Sequence, residues 1–378
     1  MMKKYRVLVC GTTYGQVYLS AFLARRPNFR LAGILGKGSL RSKQYARQFG
    51  VPYYHRVEEV PGDIDIACVV VRSTIAGGEG TFLAKAFLQR GMHVIQEHPV
   101  HAGDIAACLE LAEAKGVCYH VNSHYVHVEP VTRFIDYLEK AREARQPLFI
   151  EATASLQTLY SLSDIIGRAL GGVQPYALTD PLVWDDSLMR KNAYDFIPFT
   201  CLQGVIKGIP ATLKIQNYHD PQAFDNHFLV MHRVSIGTTG GSLTLVNTHG
   251  PVVWSQAFSI EEGQEELSFG KRKTAFSGYR EPTAISFNGE RAPALADIAV
   301  KQWPAAIHRA LEQMKYQIES GRAAPGQSKE YLLDLSGLWL DITRRIGAPR
   351  IMKISPAPAP VPDPLAYAQG IEDQGGVK

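Results

Sequence analysis

The five cysteines of this sequence, at positions 10, 68, 108, 118 and 201, lie far apart and mostly inside apolar runs. No C-x-x-C pair exists, which excludes the common zinc and dithiol redox arrangements. An odd cysteine count without a secretory leader fits a reducing compartment and predicts a cytoplasmic protein. No apolar run reaches the 18 residues of a membrane span. Charge of one sign is also missing: 40 basic against 36 acidic side chains in 378 residues leave +4, with no Lys/Arg block to attract nucleic acid or a membrane surface. The phosphate loop G-x-x-x-x-G-K-[ST], the G-x-S-x-G elbow and the Tyr-x-x-x-Lys pair are absent, which excludes the enzyme classes built on them. There is no internal repeat.

What is there is a rhythm. YRVLVC (5–10), RLAGILG (30–36), DIACVVVR (65–72), HVIQ (93–96) and VCYHVN (117–122) read as strands. Helical patterns at 15–27, 39–50, 82–91 and 105–116 separate them. Near-continuous apolar strands with helices between them predict a parallel sheet covered on both faces. After about residue 148 the pattern changes to alternating segments, FIEATAS, ATLKIQNY, FLVMHRVSIG, GSLTLVNTH and PVVWSQAFSI, which predict a mostly antiparallel open sheet. Helices return at 305–321 and 329–347, and the Pro-rich end from 355 to 378 predicts an extended or disordered tail. The expected class is α/β with an N-terminal doubly wound parallel sheet over 1–122 and an α+β domain over 123–350. The last helices could pack back on the first domain.

A dinucleotide site wants G-x-G-x-x-G after the first strand. The sequence has CGTTYG, a shortened turn with Gly11 and Gly15. Alone this is no more than a strand-to-helix turn, but its place at the head of a βαβ series favours a Rossmann-type cofactor site. The second strand ends in GKGSLRSK (36–43), with no acid to hold a ribose 2′-hydroxyl. A solvated basic turn would look the same. Paired with the glycine turn, it predicts NADP(H), its 2′-phosphate held by Ser39 and Arg41 with Lys37 or Ser42.

The fourth strand ends in Glu97-His98-Pro99, at the edge where open α/β sheets bind ligands. A polar turn is the plain alternative. Tyr125, after the fifth strand, emerges on the same edge. His101, His120, His124 and His127 are close in sequence, but no carboxylate or cysteine completes a ligand set, so no metal is expected.

The segments RSTIAGGEGT (72–81), HVIQEHPVH (93–101), VNSHYVH (121–127), LVMHRVSIG (229–237) and HGPVVWS (249–255) resemble thiazolinyl imine reductases of pyochelin- and yersiniabactin-type siderophore assembly. These belong to the glucose-fructose oxidoreductase-like (Gfo/Idh/MocA) superfamily. The resemblance runs to about residue 350 and includes the shortened turn. It implies NADPH-dependent reduction of a thiazoline C=N on a carrier-protein-tethered intermediate of a nonribosomal peptide synthetase, by a homodimer. It implies Tyr125 or His98 as proton donor, Glu97 orienting the imidazole, and Pro99 holding the turn. It also implies that Gly11, Thr12, Thr13, Tyr14, Gly15, Arg72, Ser73, Thr74, Glu97 and His98 line the cofactor. Where the wider superfamily has lysine stands His98, and its sugar-oxidising Asp/His pair aligns with Gln157 and Ser161, which argues against a sugar. Trp254 and Tyr160 are ring-stacking candidates, with core packing the simpler role. The competing expectations are a superfamily member acting on a free sugar or cyclic imine, and a non-catalytic NADP-binding sensor.

Overall fold

The chain was studied as a computed structural model describing residues 4–24, 27–223, 226–258, 282–289, 291–354 and 364. Strands β1 (Tyr5–Cys10), β2 (Phe29–Leu35), β3 (Tyr53–Tyr54), β4 (Ile66–Val69), β5 (His93–Glu97) and β6 (Tyr119–Asn122) form a parallel sheet in the order β3-β2-β1-β4-β5-β6. Every residue of β4 and β6 is buried, as expected where helices cover both faces. Those helices are α1 (Gly15–Ser20), α2 (Leu40–Phe49), α3 (Gly80–Gln89) and α4 (Ala102–Lys115). The strand order reverses between β1 and β4, the switch point at which open α/β sheets form a ligand crevice outside the carboxyl ends of their strands.

One helix is shorter than the sequence pattern. Its apolar spacing runs to residue 27, yet α1 stops at Ser20. The next three amides, of Ala21, Phe22 and Leu23, bond three residues back, so the helix tightens into turns.

The second half begins with α5 (Glu129–Ala144), β7 (Phe149–Ser155) and α6 (Leu159–Leu170). Strand β8 (Tyr176–Leu178), the single-turn α7 (Asp186–Met189), β9 (Thr200–Ile206), β10 (Ile209–Gln216) and β11 (Tyr218–His219) follow. Then come β12 (His232–Thr238), β13 (Gly241–Leu245), β14 (Val252–Gln256) and β15 (Ala284–Ser286). The chain continues through α8 (Leu295–Asp297), α9 (Trp303–Ser320), α10 (Lys329–Ile346) and β16 (Arg350–Ile351). Eight strands make one sheet, β15-β14-β13-β12-β7-β10-β9-β8, antiparallel except where β10 pairs with β7. β11 and β16 form a separate pair. The apolar run before β12 reads as strand from residue 228, but the strand starts at His232. Just before it, the Met231 carbonyl accepts from the Thr158 hydroxyl at 2.6 Å.

Helices α9 and α10 lie against the parallel-sheet half. Gln317 meets His120 at 3.0 Å, Gln327 bonds both the amide and the carbonyl of Val121, and Ser336 donates to the Val100 carbonyl at 2.9 Å. The Pro-rich 355–378 segment and the end of PVVWSQAFSI fall outside the described residues. Among the described residues, no helix is long and apolar enough to cross a membrane.

Candidate active site

The turn after β1 is pressed against the exit of β4. Gly11 has φ +87°, and a Cβ there would stand 2.5 Å from the Val70 carbonyl oxygen, so only glycine lets the two segments approach. A Cβ at Gly15 would make only ordinary contact with Val9 and Val70. The shortened turn therefore keeps one sterically necessary glycine. It keeps the close backbone approach on which a dinucleotide-binding turn is built.

The end of β2 carries the predicted adenosine-side residues. Ser39 caps α2, its hydroxyl accepting from the Ser42 amide. Arg41 donates to the Thr13 hydroxyl at 3.0 Å and thus ties this loop to the glycine turn, with both side chains in solvent. There is no acid in the first turn of α2. Ser42 is placed otherwise: it is buried, donating to the Ser39 carbonyl at 2.8 Å and sharing a hydrogen bond with the Tyr53 hydroxyl at 3.0 Å. Lys37 points to solvent and pairs with Glu79 at 2.8 Å.

After β4, Arg72, Ser73 and Thr74 enter a tight loop. A Cβ at Gly78 would lie 2.1 Å from the Arg72 carbonyl oxygen, and one at Gly80 2.2 Å from that of Val71. Buried Ser73 donates to the carbonyl of Pro99, which joins this loop to the end of β5. The His98–Pro99 peptide is cis.

At the end of β5, Glu97 is buried among partners from three elements. His98 Nδ1 lies 3.1 Å from its Oε1, and the Tyr18 hydroxyl of α1 donates to its Oε2. Asn122, paired in register with Glu97 across β5 and β6, donates from Nδ2 to the Tyr18 oxygen at 2.5 Å and to Glu97 Oε2 at 3.4 Å. A carboxylate accepts only, so the His98 Nδ1 carries a proton and Nε2 is left for chemistry. Burial beside the Glu97 charge raises the Tyr18 phenol well above the ordinary tyrosine range, so Tyr18 remains a donor.

Tyr125 follows a strained turn. The Tyr125 amide bonds the Ser123 carbonyl across His124, whose φ is +44° and ψ −58°, a γ-turn of the rare positive-φ kind. The His124 ring is fully buried, with neither nitrogen hydrogen-bonded, and lies edge-on to Tyr14, Tyr125 and Trp303. Strain and an unsatisfied buried ring together are costly, and such features cluster at functional sites. Tyr14, in the glycine turn, is hydrogen-bonded to Tyr125. On another side of Tyr125 stands His232, its ring centroid 5.1 Å away. Its Nδ1 meets the Thr248 hydroxyl at 2.9 Å and its Nε2 the Ser161 hydroxyl at 2.8 Å. Burial, reinforced by His98 and His249, lowers both His124 and His232 to about 3, so both rings are neutral. His98 acts electrostatically on these same two imidazoles, which places it beside the Tyr125 surroundings.

Residues 145–255 match the sequence model described as "Thiazolinyl imine reductase Irp3-like, C-terminal". Residues 5–123 match "Oxidoreductase family, NAD-binding Rossmann fold" of the Gfo/Idh/MocA type. The chain belongs to the Gfo/Idh/MocA oxidoreductases, with an Irp3-like reductase C-terminal domain. It is an NAD(P)-dependent oxidoreductase. No curated protein sequence matches it. Solved structures share the fold at low identity. UDP-N-acetylglucosamine 3-dehydrogenase GnnA from Acidithiobacillus ferrooxidans is 14% identical, with a TM-score of 0.62 over 92% of this chain and 98% of that one. GenD2 from gentamicin A biosynthesis, in complex with NAD, is 14% identical with a TM-score of 0.61 over 90% and 93%. Biliverdin reductase from Synechocystis sp. PCC 6803 is 15% identical with a TM-score of 0.55 over 88% and 96%.

Of the residues expected in the oxidoreductase's site, Tyr14, Glu97, His98 and Tyr125 are brought together at one end of the crevice, and Thr13, Ser39 and Arg41 at the other. Tyr160 is both: buried in the core against Trp339, it also sets its ring 5.3 Å from His98. Trp254 lies elsewhere, against Tyr137. His120 and His127 take no part in the cluster; His120 bonds Gln317, and the His127 carbonyl accepts from Arg309 at 2.7 Å. Sequence reasoning missed Tyr18, Asn122 and His232. Aligning the last residues of neighbouring parallel strands would have flagged Asn122 beside Glu97.

Proposed function

We propose that this oxidoreductase reduces a thiazoline C=N to a thiazolidine, using NADPH, on an intermediate tethered to a carrier protein of a nonribosomal peptide synthetase. The match of residues 145–255 to the Irp3-like reductases carries this reading. The site chemistry supports it. The imine carbon gains a hydride and its two electrons while nitrogen gains a proton, so C=N becomes CH–NH and a positioned acid is required. When bound, the reduced nicotinamide supplies the hydride.

His98 or Tyr125 supplies the proton. Glu97 on Nδ1 fixes the His98 ring, leaving Nε2 to hand over the proton. The Tyr125 phenol is walled by neutral His124 and His232. Where sugar-oxidising relatives keep a helix-borne Asp/His pair, Ser161 spends its hydroxyl on His232, so this position has no base for an alcohol. Gly11, Thr12, Thr13, Tyr14 and Gly15 would hold the pyrophosphate side of the cofactor, and Arg72, Ser73, Thr74, Glu97 and His98 its nicotinamide side. Ser39 and Arg41 would hold a 2′-phosphate, the absence of an acid in α2 supporting NADP over NAD. In this reading residues 1–122 bind cofactor, residues 123–350 form the substrate and dimer surfaces, and the enzyme works in the cytoplasm as a homodimer.

The test is NADPH oxidation with a synthetic aryl-thiazolinyl thioester, followed by mass analysis. One NADPH consumed per product two hydrogens heavier supports the reading. Cofactor binding without consumption, across several such thioesters, counts against it.

A further inference from the structure

We propose that Tyr18 is a positioning residue for the proton donor, setting how tightly the Glu97 carboxylate holds the His98 proton. The proposal rests on reading His98 as the acid, and it concerns a residue outside every motif discussed above. Tyr18 lies on α1, three residues after Gly15, and is 1% exposed. Its hydroxyl does two things at once: it donates to Glu97 Oε2 and accepts from Asn122 at 2.5 Å. The chain Asn122, Tyr18, Glu97, His98 thus runs from the cofactor-turn helix, across the ends of β6 and β5, to the imidazole.

The charged state of this network is simple. The titratable groups facing the pair are Tyr14 and Tyr18 from the first helix and its turn, Cys68 from β4, Tyr160 from α6, His124 from the γ-turn and His232 from β12. Burial keeps the three phenols and the thiol protonated and the two imidazoles unprotonated through the neutral range. A donor aimed at the far oxygen of Glu97 withdraws charge from the oxygen that holds Nδ1. Tyr18 therefore weakens the hold of the carboxylate on an imidazolium and makes His98 a readier acid. Asn122, still on Oε2, keeps the carboxylate in place when the phenol is removed.

The test is Tyr18→Phe, which keeps the buried ring. We expect kcat to fall about tenfold, with cofactor affinity and substrate KM within about twofold of wild type. The alkaline limb of the rate profile should move up by about half a pH unit or more. The His98 titration, followed by NMR and assigned with His98→Phe, should move the same way without any substrate. That readout separates this proposal from the imine reading, which it does not need. In a Glu97→Gln background, Tyr18→Phe should add no further shift. If Tyr18→Phe does not fold, 3-fluorotyrosine at position 18, a stronger donor, should move the titration downward. A His98 titration that stays put, or moves opposite to these directions in a folded variant, overturns the proposal.

Discussion

The two ends of the crevice are built on different principles. At the end proposed for adenosine, Arg41 with Thr13 and Lys37 with Glu79 pair in solvent between turns. At the end proposed for the chemistry, Glu97, Asn122 and His232 are buried and hydrogen-bonded, the His124 ring and the Tyr160 hydroxyl are buried without hydrogen-bond partners, and the imidazoles near Tyr125 have lost their charge. Exposed contacts like the first set are weak singly and easily exchanged. A desolvated network like the second is costly to break and fixes geometry. In the proposed reading, cofactor preference therefore sits on a replaceable surface and proton chemistry in a rigid interior.

The largest way to break this contrast is acid. His120, His124, His232 and His249 are held at about 4, 3, 3 and 4 by burial. In the unfolded chain they return to about 6.5, so below that pH the unfolded state binds more protons. Their stabilising share is intact above about pH 6.5 and is lost as pH falls toward 4. Each costs about 2 kcal/mol between pH 7 and 5, together enough to unfold a domain of ordinary stability. Denaturant titrations at pH 7.5, 6 and 5 should show that collapse. A pH-independent midpoint would mean that these rings are not buried neutral.

Next in size is the loss of proton donation. Tyr125→Phe and His98→Phe should each lower turnover, the true donor by about 10²–10⁴-fold, with NADPH affinity nearly intact. The variant that also loses the alkaline limb identifies the donor. Wild-type rates in both would remove the pair from the mechanism. At the exposed end the effects shrink. Arg41→Ala should reduce the preference for NADPH over NADH by about tenfold, because charge-assisted bonds to phosphate are lost. An unchanged preference would reassign the 2′-phosphate contact. Lys37→Ala, which removes only a solvent-exposed ion pair, should leave stability and cofactor preference at wild-type values. A marked change in cofactor affinity would bring Lys37 into the site.

The exposed end was the more legible in sequence, because its residues are neighbours in the chain: GKGSLRSK delivers Ser39, Arg41 and Lys37 together. Even there, the burial of Ser42 depended on Tyr53, a residue in a two-residue strand that the pattern did not reveal. The parallel strands were readable because burial on both faces leaves a continuous apolar run, and FIEATAS coincides with β7. Strands β8 and β9 and helix α5 went unread; TCLQGVI breaks its apolar run with Gln203 and Gly204. At the chemical end, Glu97, His98 and Tyr125 were legible as strand-end residues. Tyr18 was not, since it meets Glu97 across 79 positions of chain and lies on a helical face that reads as core. His124 was weighed only as a metal ligand, because no sequence pattern announces a strained turn.

The central claim is that hydride and proton meet a C=N at the Glu97–His98–Tyr125 end of the crevice. The most direct measurement is deuteride transfer from C4-deuterated NADPH to an aryl-thiazolinyl carrier thioester, read by mass spectrometry in wild type, His98→Phe and Tyr125→Phe. The account predicts one deuterium fixed on carbon of the wild-type thiazolidine and little in the donor variant. Deuterium that never reaches any thiazoline, while NADPH still binds, would contradict it.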